Sequence, residues 1–160
     1  MNNDFYDLLK RLTDADVEFI IVGGFAGVAH GCTYVTQDMD ICCDFSTDNL
    51  LKLHEALCDL HPVHRMTPKR RKFELKKEAG QNFKKLYLDT DAGQLDCLSF
   101  IDGVGDYKNV KQASDIIESE GVKLAVINID ALIKAKKAMD RPHDREAIFQ
   151  LEAIKKLKKP

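Results

Sequence analysis

The sequence has no long apolar run. Its apolar stretches are only a few residues, as in Phe19 to Val22, whereas a membrane-spanning helix takes about 20 apolar residues. No transmembrane segment and no membrane partner are therefore expected. There is also no excess of either charge. Lys and Arg number 24 against 26 Asp and Glu, for a net charge of −2. That excludes a general nucleic-acid coat protein, because non-specific duplex binding takes many Lys and Arg. No Pro/Gly/Ser linker, low-complexity tract or internal repeat interrupts the 160 residues, so one domain over 1–160 is expected. The start, Met1-Asn2-Asn3-Asp4, carries neither a basic flank nor an apolar signal core, and the expected compartment is the cytoplasm. The cysteines, Cys32, Cys42, Cys43, Cys58 and Cys97, are odd in number. Without an export signal they read as free, buried thiols.

What is present is enough for a folded core. Apolar residues make up 44% of the chain, and a 31% charged share mixes both signs, which argues against global disorder. Phe5, Leu8, Leu9 and Leu12 recur at helical spacing over 4–14. Residues 18–22 form a short β-branched run ended by Gly23-Gly24, a buried strand. A short helix over Phe25 to Ala29 closes at Gly31. Met39 to Cys43 reads as a second buried strand. Ser46 can cap a helix over 47–60 whose Leu50, Leu53, Leu57 and Leu60 share a face. Residues 72–77, 84–89 and 93–100 are strand-like, with turns at Gly80-Gln81-Asn82 and Asp91-Ala92-Gly93. Val122 to Ile127 is a further strand. Asp130 can cap a helix through Met139, and Pro142 suits the first turn of another through Leu157. The order implies an α/β (α+β) domain: a mixed sheet with helices packed on one side and two C-terminal helices.

The segment that carries chemistry is Val22-Gly23-Gly24, followed by Asp38-Met39-Asp40-Ile41. A Gly-Gly pair at a strand-to-helix turn lets backbone N–H groups approach a phosphate without Cβ obstruction, and the helix start that follows favours an anion. Asp38 and Asp40 sit at i and i+2 and so point to one strand face, roughly 7 Å apart at Cα. Two such carboxylates suit a hard cation such as Mg²⁺, which takes oxygen ligands. With 26 acids in the chain other acid-x-acid pairs arise, among them Asp14/Asp16, Asp89/Asp91 and Glu118/Glu120. Among these pairs only Asp38/Asp40 opens an apolar strand behind a Gly-Gly turn. A third acid, Asp96, lies inside the apolar stretch Leu95 to Phe100, where a carboxylate is costly unless paired or on a metal. A salt bridge to Lys or Arg, or exposure at a sheet edge, would also account for it.

Val22-Gly23-Gly24, then Thr36-Gln37-Asp38-Met39-Asp40-Ile41, then Leu95-Asp96-Cys97 together resemble the nucleotidyltransferase superfamily with the DNA-polymerase-β-like palm. The Thr-x-Asp-x-Asp form is similar to the minimal nucleotidyltransferases and to the toxin-like branch related to abortive-infection proteins. Leu132-Ile133, Lys136 and Arg141-Pro142-His143-Asp144 resemble the tail of small members of that branch. The resemblance covers roughly 17–150. One departure is Met139-Asp140-Arg141, where the family tail often reads Ala-Gly-Arg. The resemblance implies a metal-dependent enzyme that transfers a nucleoside monophosphate from a nucleoside triphosphate to an acceptor hydroxyl. Asp38, Asp40 and Asp96 would be the catalytic and metal-binding residues, for Mg²⁺ or Mn²⁺. Gly23, Gly24, Thr36, Lys136 and Arg141 would bind the nucleotide, although Lys136 also reads as a solvated helix lysine and Arg141 as a partner of Asp144.

The acceptor is open, RNA or a small molecule, and the basic run between Arg65 and Lys77, set against a net acidic chain, tips the expectation slightly toward an RNA or nucleotide-like acceptor over a cationic antibiotic. Arg65, Lys69, Arg70, Arg71, Lys72, Lys76 and Lys77 form a basic run that suits the triphosphate or an RNA acceptor, or else a solvated loop and edge strand. Lys155 to Lys159 reads as a solvated helix end. Cys58, His61 and His64 are spaced three apart, but Pro62 breaks the helix that would align them as zinc ligands and no fourth ligand is evident. His30 reads as packed or capping the short helix. A non-catalytic nucleotide-binding module, and a partner-regulated toxin or antitoxin component, are the alternatives of other classes.

Overall fold

The computed structural model describes residues 3–75 and 84–158. The expected turn at Gly80-Gln81-Asn82, the basic residues Lys76 and Lys77, and Lys159 lie outside them. Helix α1 (Asn3–Asp14) buries Phe5, Leu8, Leu9 and Leu12, the four residues whose spacing marked it. Strand β1 (Phe19–Val22) runs directly into α2 (Gly23–His30), which ends at Gly31 in the left-handed conformation, φ 115°. Strand β2 (Asp38–Cys43) follows. Helix α3 (Thr47–Leu57) is capped by Ser46, whose hydroxyl accepts the Asn49 N–H. It tightens into a 3₁₀ turn at Cys58–Leu60 instead of continuing as α-helix to 60.

The middle of the chain supplies β3 (Val63–His64), β4 (Lys85–Thr90) and β5 (Gly93–Leu98). The strand expected over 93–100 breaks at Ser99, whose N–H and hydroxyl both donate to the Lys84 carbonyl at 3.2 and 2.7 Å. A separate small hairpin, β6 (Phe100–Ile101) with β7 (Gly105–Asp106), then leads into α4 (Tyr107–Gln112). Of the strand expected at 72–77, the described part makes a single bridge, Lys72 to Val63. Strands β8 (Ser114–Ser119) and β9 (Val122–Ile127) form a hairpin. Helix α5 (Ile129–Met139), a 3₁₀ turn at Pro142–Asp144 and α6 (Arg145–Lys158) complete the chain. The cap of α5 is Asn128, whose side chain accepts the Ala131 N–H at 2.8 Å, and not Asp130, which is the second residue of the helix, in its first turn.

Seven strands form one mixed sheet in the order β3-β4-β5-β2-β1-β9-β8. β2 lies between antiparallel β1 and parallel β5. This is the expected class, a mixed sheet with packed helices and two helices at the C-terminal end. Among the described residues no helix is long and apolar enough to cross a membrane. The five cysteines are free. Four are buried as expected, whereas Cys58 is exposed at the end of α3.

One buried polar side chain fixes the frame around β1 and β2. Asn49, 4% exposed, accepts the Glu18 N–H at 2.7 Å and donates to the carbonyls of Glu18 at 3.0 Å and Asp44 at 2.7 Å. These are the residues just before β1 and just after β2, so α3 clamps the one end of the central antiparallel pair where Phe19 faces Cys43. Truncation leaves three partly buried backbone groups without that partner. Asn49→Ala is expected to lower stability by about 2–4 kcal/mol, read as a shift in urea midpoint at unchanged slope. A shift below about 0.5 kcal/mol would show that water replaces the amide.

Candidate active site

Strand alternation separates the two faces of β2. Met39 and Ile41 are fully buried in the core, and Asp38 and Asp40 face the other way. The parallel register then sets Asp40 opposite Asp96 on β5, and Asp38 opposite Gln94. All three carboxylates line one cleft of about 450 Å³, together with Gly23, Lys136 and Arg141. Asp96 thus lies on the strand next to the Asp38/Asp40 pair.

Gly23 is where β1 hands over to α2, opposite Asp40 through the Val22↔Asp40 register. Its φ is +68°, and a Cβ there would overlap the Asp40 carboxylate. Only glycine allows the helix start and the acid to approach so closely. Gly24 and Thr36 stand one layer back and do not line the cleft. A Cβ on Gly24 would come within 3.1 Å of the Thr36 hydroxyl, which itself donates to the Asp38 carbonyl at 3.0 Å. The Tyr34 hydroxyl donates to the Gly24 carbonyl at 2.9 Å. This layer braces the turn on which the acids sit.

Burial, and after it the crowding of like charge, sets the electrostatics. Burial first, and then the charges of Asp96 and Asp38, push the Asp40 carboxyl up to about 7, against a lowering influence of Arg141. Asp96 is raised by burial, partly offset by the hydrogen bond and charge of Arg65. This donor set fits a hard divalent cation: carboxylate oxygens only, on one face, carrying a repulsion that a cation relieves. Among the described residues no three His, Cys, Asp or Glu side chains converge as ligands would. Asp96 is instead gripped by Arg65, whose Nη2 donates to its Oδ1 at 2.8 Å. The salt-bridge reading of Asp96 and its place in the acidic cluster are thus both present.

Two cations enter from α5 and the turn after it. Lys136 is 5% exposed, not the solvated helix lysine that its position also suggested. Its Nζ lies 3.3 Å from Asp144 Oδ1, and Arg141 Nε donates to Asp144 Oδ2 at 2.7 Å. Asp144, 3% exposed, orients both. Burial alone would raise its carboxyl, but the Arg141 hydrogen bond and the Lys136 charge outweigh that and hold it below the ordinary value. The sequence reading of Asp144 as a partner of Arg141 is met, and its hold on Lys136 comes in addition. The signal for the Arg141 pairing was the Arg-x-x-Asp spacing across a 3₁₀ turn.

The basic run divides. Arg65 and Arg70 are engaged by acids, Arg65 with Asp96 and Asp89, and Arg70 in a short contact with Asp89. Lys69, Arg71 and Lys72 are exposed. Cys58 donates to the Glu55 carbonyl, His61 bonds Asp91 at 2.6 Å, and the His64 ring packs edge-on against Phe73. His30 is buried, with Nε2 on the Ile127 carbonyl at 2.6 Å.

No protein-family model and no curated protein matches the chain. Solved structures do. A lincosamide antibiotic adenylyltransferase, LnuA, in a lincomycin-bound structure, is 16% identical at a TM-score of 0.66 over 96% of this chain and 98% of that one. ANT(2″)-Ia in complex with adenylyl-2″-tobramycin is 18% identical at 0.54, over 96% and 91%. A Thermotoga maritima protein assigned as a nucleotidyltransferase is 14% identical at 0.60, over 93% and 90%. At these identities the likeness is one of fold, and it spans nearly the whole chain: the fold is that of the nucleotidyltransferase superfamily.

Two outcomes follow from the charges. Because the Asp40 carboxyl is raised in the folded state, its contribution to stability is full below the unfolded value near 3.8 and is lost as pH rises through about 7. Without divalent ions, Asp40→Asn is therefore expected to be more stable than the parent at pH 8, by about 2 kcal/mol, and to lose that advantage by pH 4. Urea unfolding in EDTA across that range measures it. Asp144→Asn leaves the buried Lys136 charge without its counterion and is expected to cost about 3–5 kcal/mol at pH 7. That cost should shrink as pH falls through the Asp144 value, where the parent loses the same charge.

Proposed function

We propose that this chain, built on the nucleotidyltransferase fold, transfers a nucleoside monophosphate from a nucleoside triphosphate to an acceptor hydroxyl, with Mg²⁺ or Mn²⁺ as cofactor. The observation that supports the reading is that two adjacent central strands set Asp38, Asp40 and Asp96 along one cleft, beside the Gly23 turn. A repulsive cluster of this kind makes sense where a cation and a polyanion enter together.

Asp38 and Asp40 would hold the ion, with Asp96 completing the acidic site. The ion when bound supplies charge neutralisation for the triphosphate and the leaving pyrophosphate. The chain's own groups position the reactants. The backbone at Gly23 would meet the phosphates from the start of α2, with Gly24 and Thr36 bracing that turn one layer behind. Lys136 and Arg141, aimed by Asp144, meet the phosphates from the α5 side. Asp96 takes the proton of the acceptor hydroxyl as its oxygen forms the bond to the α-phosphorus and pyrophosphate departs. Positioning and charge stabilisation supply most of the rate in such a displacement.

A small hydroxyl-bearing acceptor is favoured over RNA. Arg65 and Arg70, two of the basic residues that suggested RNA, are committed to Asp96 and Asp89. The lincomycin and adenylyl-tobramycin complexes of the fold's relatives also point to small acceptors.

The test is incubation with each α-labelled nucleoside triphosphate, Mg²⁺, and separated small-molecule and RNA fractions of a cell extract. Label is expected in the small-molecule fraction, dependent on divalent ion. Asp38→Asn and Asp40→Asn are each expected to reduce it about 100-fold or more, the loss of several kcal/mol of charge stabilisation. Nucleotide binding without metal dependence and without transfer would favour the non-catalytic module. Co-purification with a second polypeptide that blocks transfer would favour the partner-regulated component.

A further inference from the structure

Arg65 belongs to the basic segment but turns toward the carboxylates, its side chain 18% exposed. Restraints come from several directions. Its backbone N–H donates to the Tyr87 carbonyl at 2.8 Å. Nη1 donates to the Leu88 carbonyl at 3.3 Å and lies 4.0 Å from Asp89 Oδ1. The guanidinium stands 5.7 Å from the centroid of the Tyr87 ring. Nη2 is the part left for the site, and it donates to Asp96 Oδ1 at 2.8 Å. Asp89 is held in turn by Arg70. A guanidinium is charged at every accessible pH and fits a carboxylate as a rigid fork.

We propose that Arg65 is a resident cation of the carboxylate site, occupying Asp96 and limiting the site to one divalent ion, held by Asp38 and Asp40. The inference rests on the metal site of the proposed function and makes Arg65 a positioning residue, since it acts through Asp96. Two-metal sites set their ions about 3.5–4 Å apart between shared carboxylates. Here a second ion would need the Asp96 oxygens. One of them already takes the arginine, so a second divalent charge would have to settle beside a fixed positive one. The arginine cannot swing away cheaply, because Leu88, Asp89 and Tyr87 hold it from behind. Asp96 thereby stays a carboxylate facing the cleft, aimed for the acceptor and withdrawn from metal ligation. A salt bridge that served the fold alone would leave the number of bound ions unchanged when it is removed, and this difference makes the idea testable.

The experiment uses Mn²⁺ alone, at high protein concentration, with bound ions counted by electron paramagnetic resonance and calorimetry. The parent is expected to bind one ion per chain. Arg65→Met is expected to take a second, at least tenfold tighter than any second site of the parent, with spin coupling between the two. Arg65→Lys, which keeps the charge, is expected to stay at one. Asp89→Asn loosens Arg65 from behind and carries the same test if Arg65→Met does not fold: it is expected to admit the second ion more weakly. A spin-coupled pair in the parent overturns the inference and leaves the proposed function standing. So does a single ion in whichever folded variant carries the test. Absence of any bound ion in the parent and every folded variant overturns both.

Discussion

Mutual repulsion among three carboxylates is the constraint around which this fold is arranged. Strand pairing fixes it. Once β2 and β5 lie parallel in this register, Asp40 and Asp96 face each other, and no side-chain rotation on a packed sheet removes the conflict. The opposite face of the same strands is fully buried, with Met39, Ile41, Leu95 and Cys97 at 0% exposure. A slip of one residue would exchange the faces and bury the acids. The apolar core thus holds the acids where their own electrostatics resist being held, the usual signature of a site kept for chemistry rather than for stability.

Positive charge is brought to the cluster from two sides by different means. On the β4 side, Arg65 is a fixed ligand of Asp96, anchored by backbone carbonyls and Asp89. On the α5 side, Lys136 and Arg141 are not spent on the cluster but gathered by Asp144. An acid that binds two cations while buried leaves the pair with net positive charge directed to the cleft. Under the proposed function, the asymmetry would suit two partners, the neutralised flank for a hydroxyl and the positive flank for a triphosphate.

How much of this was legible follows from where each signal resides. The i, i+2 acids behind a glycine turn gave β2 and its cleft face, because strand alternation is a property of local sequence. Helices α1 and α3 were readable from four leucine- or phenylalanine-spaced positions each. Strand β8 was not, since Asp115-Ile116-Ile117-Glu118 alternates poorly and its Ile116 is 68% exposed at the sheet edge. Helix α4, six residues long, depends on a capping box at Asp106 and Asn109 rather than on apolar period. The grip of Arg65 on Asp96 spans 31 residues. Nothing local in a run of lysines and arginines tells which one turns inward. Burial of Lys136 was hidden for the same reason, because its partner lies beyond the end of its helix.

The departure at Asp140 shows how backbone geometry separates from chemistry. Asp140 adopts φ 50°, ψ 45°, the left-handed conformation, and its N–H closes on the Lys136 carbonyl at 3.2 Å. The chain leaves α5 there. Arg141 follows in extended conformation, and the 3₁₀ turn at Pro142–Asp144 returns Asp144 to Lys136 and Arg141. A glycine at this position is the least strained choice, and Asp is among the residues that tolerate it, at a cost of about 1 kcal/mol. The turn geometry alone thus favours a glycine at this position. Because Asp140 satisfies the same turn and its side chain is exposed, the path that aims Arg141 at the cleft is preserved while one exposed charge is added beside it. Screening by solvent keeps that charge weak. The Lys136–Asp144–Arg141 cluster accordingly forms in this chain without the glycine.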